Sequence, residues 1–345
     1  NRNTEAFDDC DLVPKILANV GKPDLSTTVF GRKISMPIFL SPAAMQRLYH
    51  PEGDKASARA AEKFNTFYSM STMSNNSIEQ IANLSSGPKL FQLYIHKDQS
   101  ITDDLIDRCK RANFDGLCLT VDTIVAGNRE RDHRTGFTTP PKLTLKSLFS
   151  FAIKPKWVFD YLTNEKFELS NVKNKTDKGT NITKSVIEYI NEQYDPGMNW
   201  SDAEYVVKRW DKPFAIKGVM SVEDAKRAVD IGCTAIMISN HGGRQLDGSR
   251  SPFDQIKLIS DAVGDKVDII LDGGVRRGTH VLKAIAAGAK ACSFGKAFLF
   301  SLSAGGQKGV EKLLQNMHDE IQRNMILMGC KNLKDLNYSR LIFRR

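Results

Sequence analysis

The sequence predicts an α/β chain folded as a closed (β/α)8 TIM barrel with a long insertion after strand 4. Three observations carry this. Eight short apolar runs recur along 345 residues, with helical patterns between most of them. Strand alternating with helix means parallel strands and right-handed crossovers, and eight such units close a barrel. No G-x-G-x-x-G follows the first run, which argues against an open doubly wound sheet. Length alone suggests two domains, but barrels of this size occur as one, so residues 1–345 are read as a single unit.

Taken in order, Met36–Pro42, Thr66–Ser71, Lys89–Ile95 and Gly116–Asp122 read as strands one to four. Pro213–Gly218, Ala235–Asn240, Asp268–Gly274 and Ala291–Lys296 read as strands five to eight. Between them, Glu52–Lys63 is Ala-rich with few breakers, and Ser77-Ile-Glu-Gln opens with a capping-box pattern. Ser221 starts a helix with early acids and later bases, as the helix dipole favours. Arg277–Ala287 ends at Gly288, a C-cap residue.

One segment breaks the rhythm. About ninety residues separate Asp122 from Pro213, far more than a crossover needs. Residues 127–210 form this insertion. Its interior, Asn171–Thr183, is rich in Asn, Lys and Thr and is expected to be mobile. Lys142–Phe159 mixes four lysines with Leu, Phe, Ile and Trp and contains no acid. That composition suits an anionic membrane surface. It also suits an amphipathic packing segment with solvated lysines, and the residues alone lean to packing.

Composition excludes a few classes. The net charge of +9 is spread along the chain, so no nucleic-acid partner is expected; an anionic substrate or membrane surface fits as well. Cys10, Cys109, Cys118, Cys233, Cys292 and Cys330 form no C-x-x-C pair and read as small buried hydrophobes, which implies a reducing, cytoplasmic compartment. No apolar run approaches membrane-spanning length. No signal peptide is visible, and the chain starts at Asn1 rather than Met. No His/Cys/Asp cluster has metal-ligand spacing, so no metal is expected.

Chemistry concentrates where strands end. After Ala235–Ile238 come Ser239, Asn240, His241, two glycines and Arg244. Histidine moves protons near neutral pH, and arginine holds a carboxylate with two parallel hydrogen bonds. The ordinary reading is a polar loop with a solvated histidine, and on this stretch alone the two stand level. The other strand ends tip the balance. The first ends in Ser41-Pro42-Ala43-Ala44, small residues against which a ring can lie, and the second in Ser71-Thr72. Gln92 and Tyr94 point the same way on the third, as do Thr120 and Asp122 on the fourth. The fifth ends in Lys217, the seventh in Asp272-Gly273-Gly274 followed by Arg276, and the eighth in Gly295-Lys296. Glycine-rich turns with Arg276 and Lys296 suit a phosphate, which barrels often bind after strands seven and eight. A phosphorylated cofactor lying across the barrel mouth fits this layout, with Lys217 facing its middle.

These residues resemble the FMN-dependent 2-hydroxy-acid oxidases and dehydrogenases. The matching segments are Ser35-Met-Pro-Ile, Ser41-Pro-Ala-Ala-Met-Gln, His50-Pro-Glu-Gly, Phe91-Gln-Leu-Tyr, Leu119-Thr-Val-Asp, Lys217-Gly-Val, Ser239-Asn-His-Gly-Gly-Arg-Gln-Leu-Asp and Leu271-Asp-Gly-Gly-Val-Arg-Arg-Gly. They keep the family's order and cover nearly the whole chain. Gly127-Asn-Arg-Glu-Arg-Asp looks like the family's loop after strand four. The resemblance implies FMN as cofactor and His241 as catalytic base, with Asp122 stabilising its imidazolium. Arg244 would hold the substrate carboxylate, with Arg129 close by, and Tyr94 would hydrogen-bond the substrate hydroxyl. Lys217 would sit near N1 of the flavin. Pro42, Ala43, Ala44, Ser71, Gln92 and Thr120 would frame the flavin ring. Ser239, Asp272, Gly274, Arg276, Gly295 and Lys296 complete the cofactor set, with Asp272, Gly274, Arg276, Gly295 and Lys296 on ribityl and phosphate.

Three departures stand out. Lys296 replaces the family's usual arginine, a point charge in place of a fork. Met73 stands where plant glycolate oxidase has an aromatic side chain. The chain begins after the family segment that carries a substrate-binding tyrosine, so that residue is not named here. The function implied is oxidation of a short L-2-hydroxy acid, foremost L-lactate, with electrons passed to a quinone or other respiratory acceptor. The alternative is an oxidase producing H2O2 from glycolate or lactate. Arg129-Glu-Arg-Asp-His133 looks more like the respiratory lactate and mandelate enzymes than glycolate oxidase. The resemblance further implies a homotetramer and contact with the inner face of a membrane.

Overall fold

Eight parallel strands form in the order of the eight apolar runs: β1 (Ile38–Leu40), β2 (Tyr68–Ser71), β3 (Lys89–Leu93), β4 (Gly116–Thr120), β5 (Phe214–Val219), β6 (Ala235–Ile238), β7 (Asp268–Asp272) and β8 (Ala291–Phe294). Each pairs with the next and β8 pairs with β1, so the sheet closes as a barrel. The computed structural model describes residues 2–130, 134, 144–164, 167–172 and 192–344. Seven of the eight strands are shorter than their sequence runs, most of them because the polar residues at their ends leave the hydrogen-bonded ladder, whereas β5 is shifted by one residue and runs to Val219. Ser239, Asn240, Gly273, Gly274, Gly295 and Lys296 all lie just beyond it.

The helices follow their sequence signals. Ile78–Leu84 starts at Ser77, whose hydroxyl accepts from Gln80 N–H while the Gln80 side chain returns to the cap. Ser221 caps Val222–Asp230 by accepting from Asp224 N–H at 3.1 Å. Gly278–Ala286 stops one residue before the expected end, and Gly288 takes a left-handed φ of +116° just past it. The six cysteines are all buried and free.

Side-chain period within the barrel positions the site. Phe39, Leu90, Cys118, Ala215, Met237, Ile270 and Ala291 form one interior cluster with Val29, Phe30 and Ile34, which belong to or adjoin a hairpin (Thr27–Val29 with Arg32–Ile34). Two residues further along the same strands the inward positions turn polar: Ser41, Gln92, Thr120, Lys217, Ser239, Asp272 and Ser293, all buried. The apolar floor and the polar rim are successive layers of one face. A register shift between Lys217 and Val219 is absorbed at Gly218, whose φ of +114° suits glycine. A Cβ there would meet Asp122 Cβ at 2.9 Å, so the glycine also makes room for that carboxylate.

In the insertion, Leu145–Ala152 and Pro155–Thr163 are helices. Trp157 packs inward, its Nε1–H donating to the Leu48 carbonyl at 2.9 Å, with Phe151 and Tyr161 stacked on its two sides in sequence. Leu145, Phe149, Ile153, Phe159 and Leu162 are exposed, so the segment packs on the chain through Trp157 and leaves much of its apolar surface open. Lys142 lies outside the described residues, as do most of Asn171–Thr183 and Arg131, Asp132 and His133 of the basic loop.

Candidate active site

Two clusters meet at the barrel mouth. The first joins the ends of β4 and β6. His241 sits in the left-handed region (φ +56°), an uncommon backbone for this side chain, and its N–H donates to Ser239 Oγ at 3.1 Å. Its Nδ1 lies 2.9 Å from Asp122 Oδ1. Thr123 Oγ1 reaches both, donating to Asp122 Oδ1 at 3.1 Å and lying 3.2 Å from His241 Nδ1. Burial alone would raise the Asp122 pKa, but Lys217 and then His241 outweigh it and hold the carboxyl below its usual range. An ionised carboxylate only accepts, so His241 Nδ1 carries the hydrogen and Nε2 is left as the basic nitrogen. The Gln245 amide ties the two strand ends together, donating at 3.0 Å to the carbonyls of Asp122 and Val125.

The second cluster lies deeper. Lys217 Nζ is 3.0 Å from Asp272 Oδ2 and donates to Ser239 Oγ at 2.9 Å. Ser239 donates to Asp272 Oδ2 at 2.8 Å, Ser293 donates to Oδ1 at 2.7 Å, and the Ser41 hydroxyl donates to the same oxygen. Burial opposes ionisation of Asp272, but Lys217 and the hydroxyls win and hold it at about 2. Burial likewise opposes the Lys217 ammonium, and Asp272 and Asp122 overcome it, raising its pKa. Lys217 is therefore a fixed positive charge.

An open cleft of about 520 Å³ stands over these clusters. It brings together Pro42, Ala44, Ser71, Gln92, Tyr94, Thr120, Arg129, Lys217 and His241 of the expected residues, with Asp122 behind His241. Met73 also lines it, as do Met45 and Thr123, which the sequence reading missed. Burial, then Asp122, pushes the Tyr94 phenol up to about 12, so it stays a hydrogen-bond donor at neutral pH. Ser239 and Asp272 lie beneath the cleft rather than on it, and Ala43 does not line it. Arg244 does not line it either: it is exposed, and Gly127 passes so close to its carbonyl that a Cβ there would come within 2.2 Å. Gly274, Arg276, Gly295 and Lys296 stand at the adjacent ends of β7 and β8. Lys296 opens a helix that runs to a break at Gly305 and Gly306, and its N-terminus favours an anion. Gly274 is pressed by the N-terminal segment: a Cβ there would meet the Asn3 carbonyl oxygen at 1.9 Å. Asn3 and Asn240 exchange side-chain hydrogen bonds at 2.6 and 2.9 Å, a contact across the chain that no local pattern signals. Among the described residues no cluster of His, Cys, Asp or Glu could hold a metal.

A histidine paired with a carboxylate, a buried lysine–aspartate pair and a helix N-terminus two strands away thus share one barrel mouth, a layout that suits a phosphorylated cofactor. Comparison with known proteins agrees. A family model described as FMN-dependent dehydrogenase matches residues 1–343. Glycolate oxidase from Spinacia oleracea is 38% identical over 339 residues, 98% of this chain and 86% of that enzyme. L-lactate oxidase from Nostoc sp. is 37% identical over 346 residues, covering 98% of this chain and 88% of the relative. A crystal structure of the monotopic membrane protein (S)-mandelate dehydrogenase superposes with a TM-score of 0.94 at 31% identity, over 99% of this chain and 90% of that one. The chain belongs to the FMN-dependent 2-hydroxy-acid oxidase and dehydrogenase family, and FMN is its cofactor. The site fits that group. Gln92 Nε2 and Thr120 Oγ1 are buried polar atoms with no partner among the described residues, and both belong to residues lining the cleft, ready for ring heteroatoms. The Gln92 amide is oriented by Ser71, which donates to its Oε1 at 2.8 Å.

Proposed function

We propose that the protein oxidises a short L-2-hydroxy acid, foremost L-lactate, to the 2-keto acid and passes the electrons to a quinone or another respiratory acceptor. The 2.9 Å contact of His241 Nδ1 with Asp122 at the edge of the cleft carries this reading. His241 Nε2 takes a proton from the substrate, and the Asp122 carboxylate stabilises the imidazolium that forms. The half-buried Arg129 lines the cleft where a substrate carboxylate would lie, and Arg244, exposed outside the lining, would clamp that carboxylate with a planar fork by turning its side chain inward. Tyr94 donates to the substrate hydroxyl oxygen. Bound FMN supplies the two-electron acceptor. Its ring would lie against Pro42, Ala43, Ala44, Ser71, Gln92 and Thr120, with Asp272, Gly274, Arg276, Gly295 and Lys296 toward its ribityl and phosphate groups and Ser239 completing the cofactor set. Lys217 offers a fixed positive charge to a group that gains negative charge.

The deciding experiment is anaerobic mixing of the flavin-loaded protein with L-lactate, glycolate and (S)-mandelate. Bleaching of the oxidised flavin spectrum by L-lactate first is expected. A spectrum unchanged by every 2-hydroxy acid would overturn the reading. A second reading, an oxidase producing H2O2, draws on the two oxidases at 38% and 37% identity; rapid oxygen uptake during turnover would establish it.

The same proposal places the protein on the inner face of a membrane as a peripheral homotetramer, each chain one barrel with residues 127–210 as an insertion. Two features support the membrane contact. Phe149, Phe159 and Leu162 are 71%, 66% and 73% exposed on the insertion helices, next to exposed Lys154. The mandelate dehydrogenase of similar fold is a monotopic membrane protein. No helix among the described residues is long and apolar enough to cross a membrane.

A further inference from the structure

Tyr94 stands one residue past β3, where its N–H donates to Thr72 Oγ1 at 3.2 Å, a bond that holds the backbone but leaves the ring plane to be set by packing. A phenol that addresses a substrate oxygen needs its ring plane set, since small misplacements of a reacting partner are costly. The chain supplies that constraint from about one hundred residues away. Where the insertion returns to the barrel, Lys97 N–H donates to the Gln193 carbonyl at 2.9 Å, and Lys97 Nζ donates to the Glu192 carbonyl at 2.9 Å. His96 and Tyr194 then form an isolated antiparallel bridge. This latch buries Tyr194, whose ring stacks on Tyr94 with centroids 4.6 Å apart and planes 27° apart. The His96 ring meets Tyr194 edge-on at 5.5 Å and 87°. Burial holds the His96 pKa down at about 4, so its ring is neutral packing at physiological pH.

We propose that Tyr194 is a positioning residue for Tyr94: the returning end of the insertion braces the ring whose hydroxyl meets the substrate. The inference rests on the part given to Tyr94 in the proposed reaction. It also gives the insertion a direct mechanical path to the cleft, since displacing residues 192–194 unstacks Tyr94.

The test is a double-mutant cycle on flavin-loaded enzyme, read by anaerobic stopped-flow reduction with the best 2-hydroxy acid of the panel. Tyr194→Leu keeps an apolar side chain in the buried site, and flavin content and thermal midpoint report that it folds. Its limiting reduction rate should fall about 10-fold, the upper range for an aromatic pair, with substrate Kd little changed. Tyr194→Phe, which keeps the ring, should restore the rate. In a Tyr94→Phe background Tyr194→Leu should add nothing, because no hydroxyl remains to be aimed. If Tyr94→Phe slows reduction but Tyr194→Leu costs the same with and without it, the positioning inference falls and Tyr194 is simply core. It falls equally if Tyr194→Phe is as slow as Tyr194→Leu. If Tyr94→Phe itself reduces at the parent rate, the reading of Tyr94 falls, and this inference with it.

Discussion

Replacing Asp122 by Asn removes one charge and leaves nearly the same shape. In the native site the carboxylate oxygen lies 2.9 Å from His241 Nδ1, so the charge centres stand about 4 Å apart once the imidazole takes a second proton. At an effective dielectric near 20 that pair is worth about 4 kcal/mol. The site is not dry, with the His241 side chain 23% exposed, so screening leaves about 3 kcal/mol. The expected loss in the rate of flavin reduction is therefore about 10²-fold. The amide oxygen can still accept from Nδ1–H, so the tautomer survives and the loss measures charge rather than geometry. Stopped-flow reduction under anaerobic conditions gives the rate directly, and flavin absorbance on the purified variant checks that the cofactor side is intact. A variant that keeps its flavin and is reduced within about twofold of the parent rate would refute the argument, since the carboxylate would then not be stabilising an imidazolium.

Other perturbations test neighbouring parts of the site. His241→Gln should keep FMN and lose substrate reduction by at least about 10²- to 10⁴-fold, the range for a general base; near-normal turnover would take His241 out of the mechanism. Arg244→Lys should weaken substrate binding and slow reduction, because lysine cannot make the planar fork; unchanged kinetics would argue against a carboxylate clamp. Asp272 is held at about 2, below the ordinary carboxylate value, so it contributes stability above about pH 4 that is lost as pH falls toward 2. Asp272→Asn should lower stability at neutral pH by about 3 kcal/mol, by leaving buried Lys217 without its nearest carboxylate, and should flatten that acid limb in a pH series of denaturant midpoints; an unchanged limb would show that the ion pair is not its source. Sedimentation with anionic vesicles should carry the protein down at low salt and less at high salt, and a protein that stays in the supernatant in both would remove the membrane contact.

The barrel was legible because each strand leaves two signatures, an apolar run and an abrupt polar end. The eight runs were found, each extended past the ladder at one end or both, since the sequence does not mark where extended backbone stops pairing. The same alternation put Gln92 with Tyr94 and Thr120 with Asp122 on the inward face, and of these Gln92, Tyr94 and Thr120 line the cleft. What was missed is what alternation does not encode. Thr123 points into the site although it follows Asp122 directly, because the strand has already ended at Thr120. Ser41 read as a small residue beside a ring, yet its hydroxyl serves Asp272, 231 positions away. Asn3 with Asn240 and Tyr94 with Tyr194 are likewise pairs that only the closed chain brings together.

Lys217 shows why the separate parts read from the sequence form one electrostatic unit. Three charged groups, Lys217, Asp272 and Asp122, are packed beneath one cleft, and a buried charge persists only if it is paired. Asp272 is the near partner at 3.0 Å and keeps the ammonium charged. Lys217 in turn is the largest single influence holding Asp122 ionised, alongside the hydrogen bond and charge of His241. The carboxylate beside the histidine thus depends on the lysine that lines the cleft, and that lysine depends on an aspartate whose other oxygen is held by Ser41 and Ser293. The Asp122–His241 pair and the deeper Lys217–Asp272 pair are therefore one electrostatic unit, and a change of charge at Lys217 or Asp272 is felt at the carboxylate that holds the histidine.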